Sequence, residues 1–298
     1  MRAVVFEEFG GPGVLHLGEV PEPEAGPGQV RVRVEAVGLN AFDGKIRSGA
    51  MEPVFRTRLP AVPGMEVAGT VDQVGRGVTG VELGERVTGW TRRGAAELAL
   101  LDLWAPVPDG LDAPQAAALP VVGETAWRVL RILDLKPGET LLVHGASGGV
   151  GGLATQLAVA AGVHVIGTAS PANQERVASY GATPTPYGEG IVDRVRALAP
   201  AVDAVLDAAG SGVLPDSIEL RGGTERVVTL ADPTAYELGV EFPEQSEPSA
   251  EQLAELVDMV VRGDVRVPVA KVLPLGEAAR GQALVDDGHA GGKVVLVP

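Results

Sequence analysis

Between Thr140 and Gly151 the chain reads TLLVHGASGGVG, a short apolar run that ends abruptly in small residues. Ala146-x-Gly148-x-x-Gly151 is a G-x-G-x-x-G spacing with alanine in the first place, supported by Gly145 before it and Gly149 within it. Residues of these types at this spacing suit a dinucleotide. Gly145 and Ala146 permit a tight turn, Gly148 lets the backbone approach a pyrophosphate, and Gly151 lets the next helix pack closely on its strand. Ser147, Gly149 and Val150 complete the loop, whose amides at the start of the helix face the phosphates with the partial positive charge of the helix end.

Glycines also serve ordinary strand-to-helix turns, so the flanking elements decide. Pro137-Gly138 breaks the chain before a strand at 140–144. Val150, Leu153, Ala154, Leu157, Ala158 and Ala161 then recur at helical spacing, Gly162 stops that helix, and a second strand at 163–168 completes a β-α-β unit. Beyond it come a helix at 173–180, a segment near Pro186-Tyr187, a helix at 191–198, a strand at 201–207, a helix at 213–220 and a strand at 226–230. Segment 231–249 reads as a surface loop, followed by a helix at 250–261, a run at 270–273, a helix at 275–286 and a strand at 293–297. This alternation predicts an α/β fold with a doubly wound parallel sheet. The first 119 residues differ: short apolar runs at 3–6, 30–37, 67–74, 86–88 and 97–101, punctuated by Gly and Pro, predict a β-rich, barrel-like domain. Residues 113–133 turn helical. The closing strand resembles the N-terminal material and is expected to return to it, giving domains of 1–119 with 264–298, and 120–263.

The 298 residues are 45% hydrophobic, enough for two buried cores. No cysteine occurs, which removes disulfides, thiolate nucleophiles and cysteine-based zinc sites. A formal net charge of −15 argues against a nucleic-acid partner. The start MRAVVFEEFGG has neither signal-peptide nor transit-peptide character, and no apolar stretch has membrane-spanning length; a cytoplasmic protein without a membrane partner is expected.

With these stretches in view, the chain resembles the zinc-independent quinone oxidoreductase branch of the medium-chain dehydrogenase/reductase superfamily. The resemblance rests on Val37-Gly38-Leu39-Asn40-Ala41-Phe42-Asp43, Pro63-Gly64-Met65-Glu66-Val67-Ala68-Gly69, Gly123-Glu124-Thr125-Ala126-Trp127, the glycine loop 144–151, and Gly288-His289-Ala290-Gly291-Gly292-Lys293. It implies a GroES-like β-barrel-type catalytic domain beside a Rossmann-type cofactor domain, and a homodimer paired along an edge near 226–230. Zinc-dependent relatives carry Gly-His-Glu where this chain has Gly64-Met65-Glu66, and a cysteine where it has Asn40. A thioether and an amide do not supply a zinc site, so no metal is expected. Reduction of a quinone, or of an alkene conjugated to a carbonyl, by hydride from NADPH remains. An enoyl-thioester reductase, with Arg56 and Arg58 available to a charged substrate arm, and a non-enzymatic NADPH-binding protein are the alternatives.

The resemblance places Asn40 against nicotinamide and substrate, donating to a carbonyl; a turn-stabilising asparagine is the plainer role. Asp43 would orient Asn40 or relay a proton, or else cap a helix at 44–48. Thr125 would meet the nicotinamide carboxamide, or bond back to its own helix. Asn40, Asp43 and Thr125 are expected to line a cleft between the two domains. Trp90 and Phe42 are candidates for an aromatic wall, the four histidines read as structural or exposed, and Arg92-Arg93 as solvated. Where NAD sites place a carboxylate, this chain has Ala169 and Ser170. Ser170, with Tyr187 matching a phosphate-contacting tyrosine of the family, points to NADPH; Gln174 stands where some relatives have lysine, and Arg176 is a substitute.

Overall fold

Val30, Val32 and Val34 alternate with Arg31, Arg33 and Glu35, the period of a strand with one face in a core and one toward solvent. The computed structural model, which describes every residue except Glu244 and His289, places that strand at the centre of the larger of two compact units. The reading of His289 lies outside the described residues. The first unit is Met1–Val121 with Pro248–Pro298 and the second is Val122–Glu247.

In the first unit the elements are β1 (Arg2–Val5), β2 (His16–Glu19), β3 (Val30–Leu39), α1 (Ala41–Arg47), β4 (Glu66–Val74), β5 (Arg86–Trp90), β6 (Leu98–Leu101), β7 (Leu103–Pro106) and α2 (Ala113–Ala117). Helix α3 (Pro120–Leu133) starts here and runs into the second unit. That unit continues with β8 (Thr140–His144), α4 (Gly149–Ala160), β9 (His164–Ala169), α5 (Gln174–Ala178), β10 (Thr183–Pro186), α6 (Ile191–Leu198), β11 (Ala204–Asp207), α7 (Leu214–Arg221), β12 (Val227–Thr229) and α8 (Ala235–Leu238). The chain then returns to the first unit as α9 (Ala250–Arg262), β13 (Val269–Pro274), α10 (Ala278–Asp286) and β14 (Lys293–Val297).

The first unit carries a mixed sheet in the order β13-β14-β3-β4-β5-β7, with β6 also paired to β3. One edge of the long β3 is shared: β6 pairs residues 30–33 and β14 pairs residues 37–39, both antiparallel. The last strand therefore completes the N-terminal sheet, as its composition predicted. The β3–β4 register shifts between Val34 and Ala36, beside Gly69, where a Cβ would strike the Arg33 carbonyl oxygen. Val30, Val32, Phe6, Leu101 and Leu296 are buried in the resulting core.

The second unit holds a parallel sheet in the order β10-β9-β8-β11-β12. Its middle strands are buried on both faces, which is why β8 and β11 read as unbroken apolar runs rather than alternating ones. The chain leaves β8 toward β9 on one side and later returns to β11 on the other, so the order reverses between β8 and β11. In open α/β sheets ligands bind at the carboxyl ends of the strands flanking such a reversal.

Two expectations need correction. The domain boundary placed at 263 lies at 247/248, because α9 packs against β7 and belongs to the first unit. Segment 231–249 is not a bare loop: it contains α8, and Glu241 bridges Val228 in parallel, extending the sheet beyond β12.

Candidate active site

Helix α1 begins at Asn40, whose extended backbone makes it the N-cap. The Asn40 amide N–H donates to Asp43 Oδ2 at 2.8 Å, and the Asp43 N–H donates to the Asn40 carbonyl oxygen at 3.0 Å. Asp43 is therefore the third residue of the helix and not its cap, and its carboxyl holds the backbone of Asn40. The Asn40 side chain is held as well. Its Nδ2 donates to Glu66 Oε1 at 2.9 Å, and its Oδ1 accepts from Lys293 Nζ at 2.6 Å. Lys293 Nζ also donates to Glu66 Oε1 at 2.6 Å and to the Leu39 carbonyl oxygen at 2.9 Å, while Glu66 Oε2 accepts from the Val121 N–H at 2.8 Å.

Each member comes from the end of a strand or helix that the sheet brings together. Glu66 opens β4 opposite Gly38 of β3, Lys293 opens β14, and Asn40 follows the last residue of β3. Gly38 is required by close approach, since a Cβ there would overlap Glu66 Oε1 and the Ala117 carbonyl oxygen. Glu66 is fully buried and Lys293 is 6% exposed, so their charges are neutralised by each other and by amides rather than by water. Sequence reasoning quoted both residues within the family segments but gave neither a role. The available signal was that one of only four lysines opens an otherwise apolar strand.

Asp43 is buried, and its carboxyl is raised to about 7. Desolvation is the main cause and Glu66 adds to it, while the Asn40 N–H, the Lys293 ammonium and the Gly64 amide oppose it. Asp43 and Met65 line a pocket of about 550 Å³, walled by Phe6, Ile46, Phe55 and Leu59. Neither aromatic candidate lines it: Phe42 packs edge-on behind Phe55 at 6.2 Å between ring centroids, and Trp90 lies on β5 opposite Leu103. Among the described residues no group of three or more His, Cys, Asp or Glu side chains is placed to hold a metal ion.

In the second unit Gly145 turns the chain at the carboxyl end of β8 with φ of +78°. Ala146 needs no such conformation; it is buried, and its N–H donates to the Thr168 carbonyl oxygen. Gly148 is the N-cap of α4 and has no side chain to satisfy the first helical amides. The N–H groups of Ser147, Gly149, Val150 and Gly151 make no hydrogen bond among the described residues, leaving donors at a helix N-terminus for an anion. A Cβ on Gly151 would overlap the Gly145 carbonyl oxygen, so α4 packs onto the turn through glycine as the motif predicted. Asp207, which sequence reasoning passed over, closes the neighbouring turn at the end of β11. Its Oδ1 accepts from the Ala209 and Gly210 amides at 2.9 Å each, and its Oδ2 accepts from Thr229 Oγ1. His144 lies beneath, buried, with Nδ1 3.4 Å from Thr168 Oγ1 and Nε2 3.2 Å from Ser217 Oγ; desolvation lowers it to about 4 and keeps it neutral.

Ser170 follows the end of β9 and Tyr187 follows the end of the adjacent β10, where Pro186 pairs with Ala169. Tyr187 is exposed, in a turn held by Arg194, whose guanidinium donates to the carbonyls of Pro186, Gly188 and Glu189. Gln174 Nε2 donates to the carbonyls of Ala169 and Ser170, so it shapes the strand end. Thr125 is half-buried on α3, its hydroxyl 3.3 Å from Glu124 Oε2. The structure thus joins Asn40 and Asp43 in one unit, and gathers Gly145 to Val150 with the strand ends bearing Ser170 and Tyr187 in the other.

Two expected outcomes follow from the cluster in the first unit. Lys293→Met leaves Glu66 buried without its cation and should lower stability by about 3–5 kcal/mol, most of it recovered in Lys293→Met/Glu66→Gln, as read by denaturant melts of the double-mutant cycle. Asp43 has the pH signature of a carboxyl whose folded value is raised from 3.8 to about 7: its contribution is fully present below pH 4 and is lost as pH rises through 7. Asp43→Asn cannot lose that proton, so the variant should gain on the wild type between pH 4 and 8, by at most about 4 kcal/mol. A melting-temperature difference that stays constant across that window would contradict the assignment.

Comparisons with known proteins agree with this architecture. Residues 26–104 match the alcohol dehydrogenase GroES-like domain, and residues 181–296 match the zinc-binding dehydrogenase family. A quinone oxidoreductase of Pseudomonas aeruginosa is 33% identical, over 100% of this chain and 99% of that protein. The structure of the quinone oxidoreductase from Coxiella burnetii superposes with a TM-score of 0.91 at 30% identity, covering 100% of this chain and 99% of that one. The Escherichia coli quinone oxidoreductase complexed with NADPH superposes with a TM-score of 0.88 at 27% identity, over 100% of both chains. End-to-end likeness, the two-unit topology and the glycine turn lead to one conclusion: the chain belongs to the quinone oxidoreductase branch of the medium-chain dehydrogenase/reductase superfamily.

Proposed function

We propose that the chain is an NADPH-dependent reductase of quinones or of alkenes conjugated to a carbonyl, working without zinc. The observation that carries this reading is the row of unpartnered amides at Ser147, Gly149, Val150 and Gly151 above the Gly145 turn, a cradle fit for a pyrophosphate. The NADPH named with the Escherichia coli relative supports the cofactor, and full-length likeness to proteins named quinone oxidoreductases supports the acceptor over the enoyl-thioester and non-catalytic alternatives.

When bound, NADPH supplies the hydride. The glycine turn would hold its pyrophosphate, Ser170 and Tyr187 its 2′-phosphate, and Thr125 its carboxamide. Asn40, fixed through both ends of its amide, keeps its second Nδ2 hydrogen for an acceptor oxygen, and Asp43 holds a proton at the pocket wall near neutral pH. No zinc is needed because the electron sink lies in the acceptor itself.

We further propose a cytoplasmic homodimer. Supporting this, Glu241, bridged to Val228 of β12, is the outermost paired residue on that side of the second unit's sheet among the described residues. Sedimentation at working concentration should give twice the chain mass, and a monomer would overturn the pairing.

The cofactor reading has a direct test in steady-state assays with a simple naphthoquinone. Ala169 is 3% exposed, so a carboxylate placed there would point into the protein, and Ser170 is the better position for one. Ser170→Asp should shift preference from NADPH toward NADH by roughly 1–3 kcal/mol through like-charge repulsion of the 2′-phosphate. A wild type that oxidises NADH as readily as NADPH would refute the phosphate contacts, and no turnover with any quinone or enone would refute the reductase.

A further inference from the structure

Four arginines line the pocket that holds Asp43: Arg56 and Arg58 from the 51–62 loop, and Arg92 and Arg93 from the turn after β5. All four are exposed, and among the described residues none of their guanidinium groups makes an ion pair or hydrogen bond. Five other exposed arginines behave differently. Arg2, Arg131, Arg196, Arg262 and Arg280 each pair with a carboxylate, as a chain of net charge −15 readily allows. Asp43 is the one acidic residue among those lining the pocket and sits buried in its wall, while the Glu52 carboxylate accepts from the N–H of the lining residue Thr57 at 2.7 Å. Four like charges that form no ion pair repel one another, and a concave, partly apolar wall focuses their field into the cavity.

The remaining wall is apolar, with Phe6, Ile46, Phe55, Leu59 and Met65 facing the same space. A cavity of about 550 Å³ accommodates a molecule of some twenty to thirty heavy atoms on an order-of-magnitude basis. One end of such a molecule meets hydrocarbon and the other meets guanidinium forks, whose planar paired donors match carboxylate and phosphate oxygens.

We propose that the acceptor this chain reduces bears a carboxylate or phosphate beyond its conjugated carbonyl core, held by Arg56, Arg58, Arg92 and Arg93 while the core rests on the apolar wall. This rests on the reductase reading and adds to it the class of substrate. An uncharged quinone then fills the apolar part alone and binds more weakly.

The test uses three naphthoquinones that differ only at the end of a propyl chain on the ring: a carboxylate, a phosphate monoester and the methyl ester of the carboxylate. The methylenes insulate the ring, so hydride acceptance is matched. Dissociation constants come from calorimetry and kcat/KM from NADPH oxidation. One or both anions should bind the wild type at least about tenfold more tightly than the ester, the tighter one identifying the group. That preference should fall by most of its size in Arg56→Gln/Arg58→Gln/Arg92→Gln/Arg93→Gln, fade between about 20 and 500 mM salt, and persist in Arg76→Gln, an exposed arginine outside the pocket. Equal dissociation constants for ester and anions, or a preference untouched by the fourfold variant, would overturn the anion site even if the ester were reduced. An anion preference in binding with no NADPH oxidation on any probe would instead overturn the reductase and leave the anion site standing.

Discussion

A lysine ammonium buried against a glutamate carboxylate joins the last strand of the first unit, β14, to β3 and β4. Glu66 and Lys293 are 227 residues apart in sequence, yet their charged atoms lie 2.6 Å apart with almost no water. Moving either charge inside alone costs several kcal/mol, so neither residue can be buried without the other and without the amides of Asn40 and Val121. The positive charge that the buried Glu66 needs comes from Lys293. The ammonium reaches three oxygens at once, and one of them is the side-chain oxygen of Asn40. The same contact that stabilises the sheet thus also fixes which way the Asn40 amide points.

The second unit solves its binding problem with backbone instead of charge. Removing side chains at Gly145, Gly148 and Gly151 lets α4 press onto the β8 turn and leaves amides at the helix start without partners. Asp207 does the matching work on the other side of the strand-order reversal, spending a fully buried carboxylate on the two amides of the adjacent turn and on Thr229. An anion placed at the mouth therefore meets donors on α4, while the donors of the neighbouring loop are already engaged by the protein's own acid. Gly145 also abuts Ala208 and Ala209 of that loop, so Asp207 keeps the turn beside the motif in shape.

How much of this was legible in the sequence depends on the range of the interaction. The glycine loop is local: turn, helix start and close packing are encoded within seven residues, and the strands 140–144 and 293–297 and the helix 191–198 came out with their observed bounds. Segments 113–133 and 275–286 were read as single helical stretches although each is broken, the latter by a 3-10 turn at Leu275–Glu277, because apolar spacing alone does not register a change of helix type. Helix α9 was assigned to the wrong unit for a related reason. An amphipathic helix shows that it has an apolar face, not which sheet covers that face. The Lys293–Glu66 pair was invisible because it depends on strand register between distant segments. Asp43 was half legible: Asn at 40 and Asp at 43 have the spacing of a reciprocal cap, but Asp43 was read as the cap and Asn40 as a turn residue, since cap preferences alone rank the two residues almost equally.

Asp43 shows how one side chain can hold a helix start and still titrate near neutral pH. Its Oδ2 accepts the Asn40 N–H, a contact that both forms of the carboxyl group can make and that is stronger for the carboxylate. Its Oδ1 makes no hydrogen bond among the described residues and is therefore the oxygen free to carry the proton. Gain or loss of that proton leaves the helix start in place, so Asn40 does not move when Asp43 changes charge. Burial brings the carboxyl to about 7, where both forms are populated, and Lys293 on one side and Glu66 on the other keep it from being driven wholly to either. A buried acid poised in this way at a pocket wall can hand over a proton and recover it at neutral pH, whereas a solvated aspartate would have lost it about three pH units earlier.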